Sequence, residues 1–256
     1  MKNFNWLGFR TLYKREVFRF LKVYNQTLFA PMVTALLFFA VFSLAIGDRV
    51  RNIGNITFQE FMIPGLIMMT MVQNAFANTS SSFIMGKVLG TIIDYLLPPL
   101  SAFEILLAML LGGITRGICT GLCVVIAINI FYPIEVHDAL TVIIYTILAT
   151  SMLALLGILS GIFANSFDQM AAITSYVITP LSFLSGTFYS VRNLPEFWQT
   201  INHFNPFFYM IDGFRYGITG YADASINTGI SILVVTNLVL FSVIYVLLNK
   251  GYRIKT

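Results

Sequence analysis

The side chains able to do chemistry are few and lie apart. Glu135, His137 and Asp138 follow Pro133 closely; two acids and an imidazole suit a metal ion, and they equally suit a solvated turn. Cys119 and Cys123 share a helix face at four-residue spacing inside an apolar run, without a third or fourth zinc ligand, which fits small packing residues. Gly86-Lys87 is followed by valine and lacks the upstream glycine of a phosphate-binding loop, and neither His-Glu-x-x-His nor Gly-x-Ser-x-Gly occurs. Hydrolase and P-loop ATPase readings therefore have nothing to stand on. What remains is charge in apolar surroundings: Arg116 within a long uncharged stretch, and Asp212 with Arg215, spaced to pair on a helix. If such a pair is structural, exchanging its members should preserve it.

The elements that hold these residues are membrane elements. The chain has 256 residues, 57% hydrophobic and only 10% charged, with a mean hydropathy of +0.82, and this composition sets soluble classes aside. Residues 6 to 24 place Trp6, Phe9, Tyr13, Val17, Phe20 and Tyr24 at steps of three and four, with Arg10, Lys14, Arg15, Arg19 and Lys22 largely on other faces. A basic amphipathic helix can bind nucleic acid or a calmodulin-like partner, but direct continuation into nineteen uncharged residues, 28 to 46, makes residues 1 to 27 an interfacial helix and no nucleic-acid binder. The six basic residues in this stretch precede any apolar core, so no cleavable signal peptide is expected.

Six spans are expected: 28 to 46, 61 to about 82, 105 to 130, 139 to 167, 169 to 188 and 224 to 249. Gln73, Asn74 and Asn78 give the second a polar face, directed at a neighbouring helix or at an aqueous path. The third either contains Arg116, turned to the interior, or starts after it and lets it snorkel. The fifth carries Pro180, which frees a backbone carbonyl. Residues 83 to 104 contain Lys87, Asp94, Glu104 and Pro98-Pro99; too short and punctuated to span, they lie at the interface. Residues 186 to 220 read as two short helices. Asn193 with Glu196 and Pro195 opens the first, Asn205-Pro206 interrupts, and Gly220 stops the second. Their aromatic rings suit the headgroup level, in a hairpin dipping into one membrane face or as helices lying flat on it. Six spans put both termini on one side, and most Lys and Arg cluster there, so the positive-inside rule makes the termini cytoplasmic and the hairpin outward-facing.

Pro180, Ser185, Gly186, Leu194, Pro195, Trp198, Asn205, Pro206, Asp212 and Arg215 stand in an order and spacing that resembles the C-terminal half of bacterial ABC-2 type permeases. Gly90, Thr91, Leu96, Leu97, Pro99, Leu100 and Ser101 resemble that family's coupling segment, and the likeness extends more weakly over the whole chain. The resemblance implies one all-α transmembrane domain of six helices in a bacterial inner membrane, a transport subunit and not an enzyme. It also implies a second copy of the chain, surrounding lipid, and a separate ATPase subunit that holds ATP and Mg. ATPase coupling then falls to Gly90, Thr91, Ile92, Asp94, Leu96 and Leu97, with the return from Asn165 to Asp168 as a further coupling candidate. An outer gate falls to Trp198, Asn205, Pro206, Asp212 and Arg215, and the path to Gln73, Asn74 and Asn78. Without the resemblance, the 83 to 104 insert is a plain re-entry helix, and an ion-coupled carrier, a channel or a transport-inactive scaffold remain open. The substrate is not written in the sequence.

Overall fold

A computed structural model describes residues 4–46, 52–53, 55–92 and 98–252. Ten α-helices are described: α1 (Trp6–Leu21), α2 (Ala30–Ile46), α3 (Phe58–Val88), α4 (Ala102–Asn129), α5 (Ala139–Phe163), α6 (Phe167–Ile173), α7 (Thr179–Leu184), α8 (Glu196–His203), α9 (Pro206–Thr219) and α10 (Ile226–Lys250). Five-residue π turns, Asn25–Phe29 and Thr174–Ile178, lead into α2 and α7. A two-stranded antiparallel hairpin, β1 (Asn52–Ile53) with β2 (Ile56–Thr57), departs from the purely helical expectation. It tucks Ile53 against Phe58, Phe61 and Met62 at the start of α3.

Four helical segments are long and apolar enough to cross a membrane: Asn25–Ala45, Ala102–Asn129, Ala139–Phe163 and Ile226–Lys250. The second and fifth expected spans are built differently. Helix α3 has 31 residues but carries the polar face of Gln73, Asn74 and Asn78, and the fifth is divided into α6, a π turn and α7.

Local chemistry sets the boundaries. Helices α3 and α4 both open on a capping box, Thr57 with Glu60 and Ser101 with Glu104, each satisfying orphan N–H groups from both directions. Because α3 runs on to Val88, the interfacial insert contracts to the stretch after it, and Asp94, Leu96 and Leu97 fall outside the described residues. The expected Asn193 cap does not form. Residues Val191–Asn193 wind as a 3-10 turn, Pro195 biases Leu194 out of the α region, and the helix starts at Glu196 without a side-chain cap. Helix α9 behaves as expected: Asn205 Oδ1 accepts the Phe207 N–H at 3.0 Å, and Gly220, at φ 76°, ends it in the left-handed region. Arg116 sits mid-helix in α4, not at its end.

The core is α3 packed against α5 and α4. Lipid supplies no hydrophobic drive between helices, so close approach and interhelical hydrogen bonds must hold them. At the α3–α5 crossing, the Thr79 hydroxyl donates to the Ala154 carbonyl at 2.7 Å. A Cβ at Gly157 would overlap Thr79 Oγ1 and lie 2.5 Å from the Phe76 carbonyl oxygen. Replacing Gly157 with valine should therefore force the two helices apart, at a cost of about 1–3 kcal/mol. Thermal unfolding of the purified variant checks this, and an unchanged midpoint would refute the crossing.

Candidate functional site

A buried ion pair organises the end of the molecule where α3 begins. Asp212 and Arg215, one turn apart on α9, lie 3.6 Å from each other with side chains 2% and 1% exposed. Each also has partners the other could not serve. Asp212 accepts the backbone N–H groups of Asp223 and Ala224, both at 2.8 Å. Arg215 donates from Nε to the Phe61 carbonyl at 3.1 Å and from Nη2 to the Gly186 carbonyl at 2.6 Å, with its guanidinium carbon 3.7 Å from the centre of the Phe61 ring. Four segments are thus clasped together: the start of α3, the turn after α7, α9, and the linker into α10. Asp223 extends the clasp by accepting from Ser190 Oγ, Tyr221 OH and the Val191 N–H. Asn205 donates to Ser185 Oγ at 3.0 Å, tying the interruption between α8 and α9 to the end of α7. Trp198 faces outward, 44% exposed. At the neighbouring loop, Asp138 caps α5, and the Thr141 hydroxyl, at 2.5 Å, holds its carboxyl below the usual carboxylate range.

A groove of about 500 Å³ opens between α2, α3 and α7. Its walls are apolar through Phe38, Leu66, Met69 and Phe183, interrupted by Gln26, Thr34, Thr70, Gln73, Asn74 and Thr179. Both flanking helices carry the same local irregularity: a π turn followed, after one residue, by proline, Pro31 in α2 and Pro180 in α7. Proline cannot donate back to the preceding turn, and the wider winding accommodates the loss. On the α3 wall, Gln73 presents a buried Nε2 with no hydrogen-bond partner among the described residues. Asn74 accepts from Arg116 Nη2 at 3.0 Å, which gives the mid-helix cation its shelter inside the bundle. Asn78 turns away from the groove and holds α1: its carbonyl and Oδ1 accept from Arg19 at 2.6 and 3.0 Å.

At the opposite, basic end, two segments distant in sequence meet. Lys87 Nζ donates to the carbonyls of Ile162 and Ala164 at 2.8 and 2.7 Å, closing the C-terminus of α5. The end of α3 is thereby tied to the end of α5; Gly90, Thr91 and Ile92 follow the one, Asn165 follows the other, and Asp168 lies in the first turn of α6. Gly90 is exposed at φ 69°, and Asp168 is exposed. Helix α1 is pinned to the same structure at both of its ends. The Asn5 N–H donates to Glu104 at 2.5 Å; eleven residues on, Glu16 accepts from Ser82 at 2.7 Å and pairs with Arg19 at 3.3 Å.

A family description for ABC-2 type transporters matches residues 8–219. The chain belongs to that family. The inner membrane transport permease YadH of Escherichia coli K12 is 34% identical over 257 aligned residues covering 100% of both chains. Nodulation protein J of Neorhizobium galegae is 22% identical over 230 residues, 88% of this chain and 86% of its own. In the structure, Asp212 and Arg215 form one clasp, Asn205 is tied to the end of α7, and Gln73 and Asn74 share one groove wall.

Several anchors of this ABC-2 protein were not legible as such. Glu16 is 0% exposed, and its signal is that it alone is acidic in a helix otherwise rich in Lys and Arg. Tyr145, also 0% exposed, fills the notch left by Gly213 and donates to the Ile226 carbonyl at 2.8 Å; nothing local marks it. The clasp also corrects the expectation that its charges are exchangeable. Exchange would aim a carboxylate at the Phe61 and Gly186 carbonyls and a guanidinium at two N–H groups. Asp212→Asn and Arg215→Met should each lower stability by about 3–5 kcal/mol, and the double exchange should not restore it. Recovery of wild-type folded yield and unfolding temperature by the exchanged variant would contradict this.

Proposed function

We propose that this ABC-2 protein is the membrane permease subunit of an ATP-driven exporter of a bacterial inner membrane. In this reading two copies enclose a path along their facing grooves, and two copies of a separate ATPase, which hold the ATP and Mg, dock at the basic end. Six spans, counting α3 and the α6–α7 segment, put both termini in the cytoplasm and the α8–α9 hairpin outside, where it closes the exit.

The observation that carries this reading is the Lys87 bridge. It ties the end of α3 to the end of α5, and in this reading the residues that follow each end, Gly90, Thr91 and Ile92 with Asn165 and Asp168, form the ATPase contact. From Gly90 back to Gln73 the chain is a continuous helix but for its last turn, a lever of about 25 Å at 1.5 Å per residue. Displacement of the basic end by a motor subunit would thereby reach the unsatisfied amide in the groove without passing through a loop. Helix α1, pinned near Glu104 and at Ser82, would move with it. The stripe Val33, Leu37, Val41 and Leu44 on α2, exposed in the single chain, supplies apolar surface for the second copy or for lipid. The substrate that fits such a groove has an apolar body and a polar group for the hydroxyls of Thr34, Thr70 or Thr179 on its walls.

Purification of the tagged chain from its own membranes should bring down an ATPase subunit. Thr91→Arg combined with Asp168→Arg should reduce that recovery about tenfold at unchanged membrane abundance, a loss of about 1.4 kcal/mol. In the assembled complex, a cysteine replacing Gln73 should change its maleimide reactivity when ATP and Mg are added. Recovery without any ATPase, or solute flux driven by a proton gradient in the absence of ATP, would replace this reading with that of an ion-coupled carrier.

A further inference from the structure

A second cavity, of about 290 Å³, lies at the basic end and away from the groove. Its floor is Phe83 of α3, Ile92 beyond it, and Ile105 and Met109 of α4, none more than 8% exposed. Its rim is polar: Ser101 at the start of α4, and Tyr245 and Asn249 one turn apart near the end of α10. The edge-on contact of Phe103 with Phe241, 5.9 Å between ring centres, joins α4 to α10 beside it.

We propose that this cavity holds one acyl chain of an anionic phospholipid from the leaflet at the basic end. Three features point to that occupant. First, the floor offers only apolar surface, so a chain is better matched there than water or a polar metabolite. Second, the rim lies where the membrane changes character. A tyrosine one turn before the Asn249-Lys250 end of an apolar 25-residue helix marks the headgroup level, and Gly251 then stops the helix at φ 65°. A molecule with its tail on Met109 and its polar part at Asn249 spans hydrocarbon and headgroup depths as a lipid does. Third, the charge is complementary. Lys250, exposed, follows the rim directly, and a lysine at headgroup depth attracts an anionic headgroup.

The site has a consequence for the exporter reading but does not depend on it. Ile92, just past α3, and Leu100, just before α4, line the cavity, so a chain lodged there packs against both. Lipid composition would then set how firmly the end of α3 is held.

The test uses the full chain in detergent and two lipids with identical acyl chains, phosphatidylglycerol and phosphatidylcholine. Native mass spectrometry should show preferential retention of phosphatidylglycerol, and Lys250→Gln should reduce that preference about fivefold, the worth of one lysine near an anionic surface. Ala102→Trp, which adds an indole at the rim, should abolish retention of both. A phosphatidylglycerol carrying a diazirine at its chain end should label Ile105 and Met109 in the unaltered protein. Equal retention by the parent and Ala102→Trp would overturn the proposal, as would labelling confined to the exposed faces of α2 and α10. The label reads the site directly, even if the tryptophan variant fails to fold.

Discussion

The Asp212–Arg215 pair is the constraint around which one end of this molecule is assembled. Two charges withdrawn from water are stable only when their remaining donors and acceptors are also met. Here the demand is distributed: two backbone N–H groups from the linker into α10 satisfy the carboxylate, and carbonyls from α3 and from the turn after α7 satisfy the guanidinium. Four segments must be in place at once for the pair to be tolerated. That requirement fixes where α9 lies, and through Tyr145 wedged against Gly213 it fixes α9 on α5.

Helix α3 carries the consequence along the bundle. Its first turns belong to the clasp, its middle offers Gln73 and Asn74 to the groove, and its last turn positions Lys87 on the end of α5. A single helix with three such duties has to be polar for a membrane element. That polarity is tolerated because α3 is enclosed by α2, α4, α5 and α9 and most of its residues are buried. The flanking helices complement it. The π turns before Pro31 and Pro180 place irregular winding where the groove is widest in polar groups, while α4 and α5 remain regular.

What could be read from residues alone, and what could not, divides along the range of the interactions. Composition, the long uncharged runs and the ordered motif residues from Pro180 to Arg215 establish a helical membrane protein of the ABC-2 type, because hydrophobic length and helix-breaking chemistry are local properties. Asn205 as a cap and Gly220 as a stop were legible for the same reason. The cap at Asn193 was misread because a proline two residues on governs the backbone before it more strongly than a side-chain acceptor does. The two readings of Arg116 were left open by the sequence and decided by Asn74, a residue forty-two positions earlier.

The sequence by itself determined which segments are helical and apolar, where most of them begin and end, and that Asp212 and Arg215 stand one turn apart. Only the tertiary structure decided what those side chains are for. It showed that Arg215 serves carbonyls from α3 and the turn after α7, that Asn78 holds Arg19 while Gln73 and Asn74 face a groove, and that Lys87 joins the ends of two helices seventy-odd residues apart in the chain. The physical reason is that each of these outcomes depends on which backbone group lies within about 3 Å, the reach of a hydrogen bond. That distance is set by helix packing across the bundle, and no spacing along the chain encodes it.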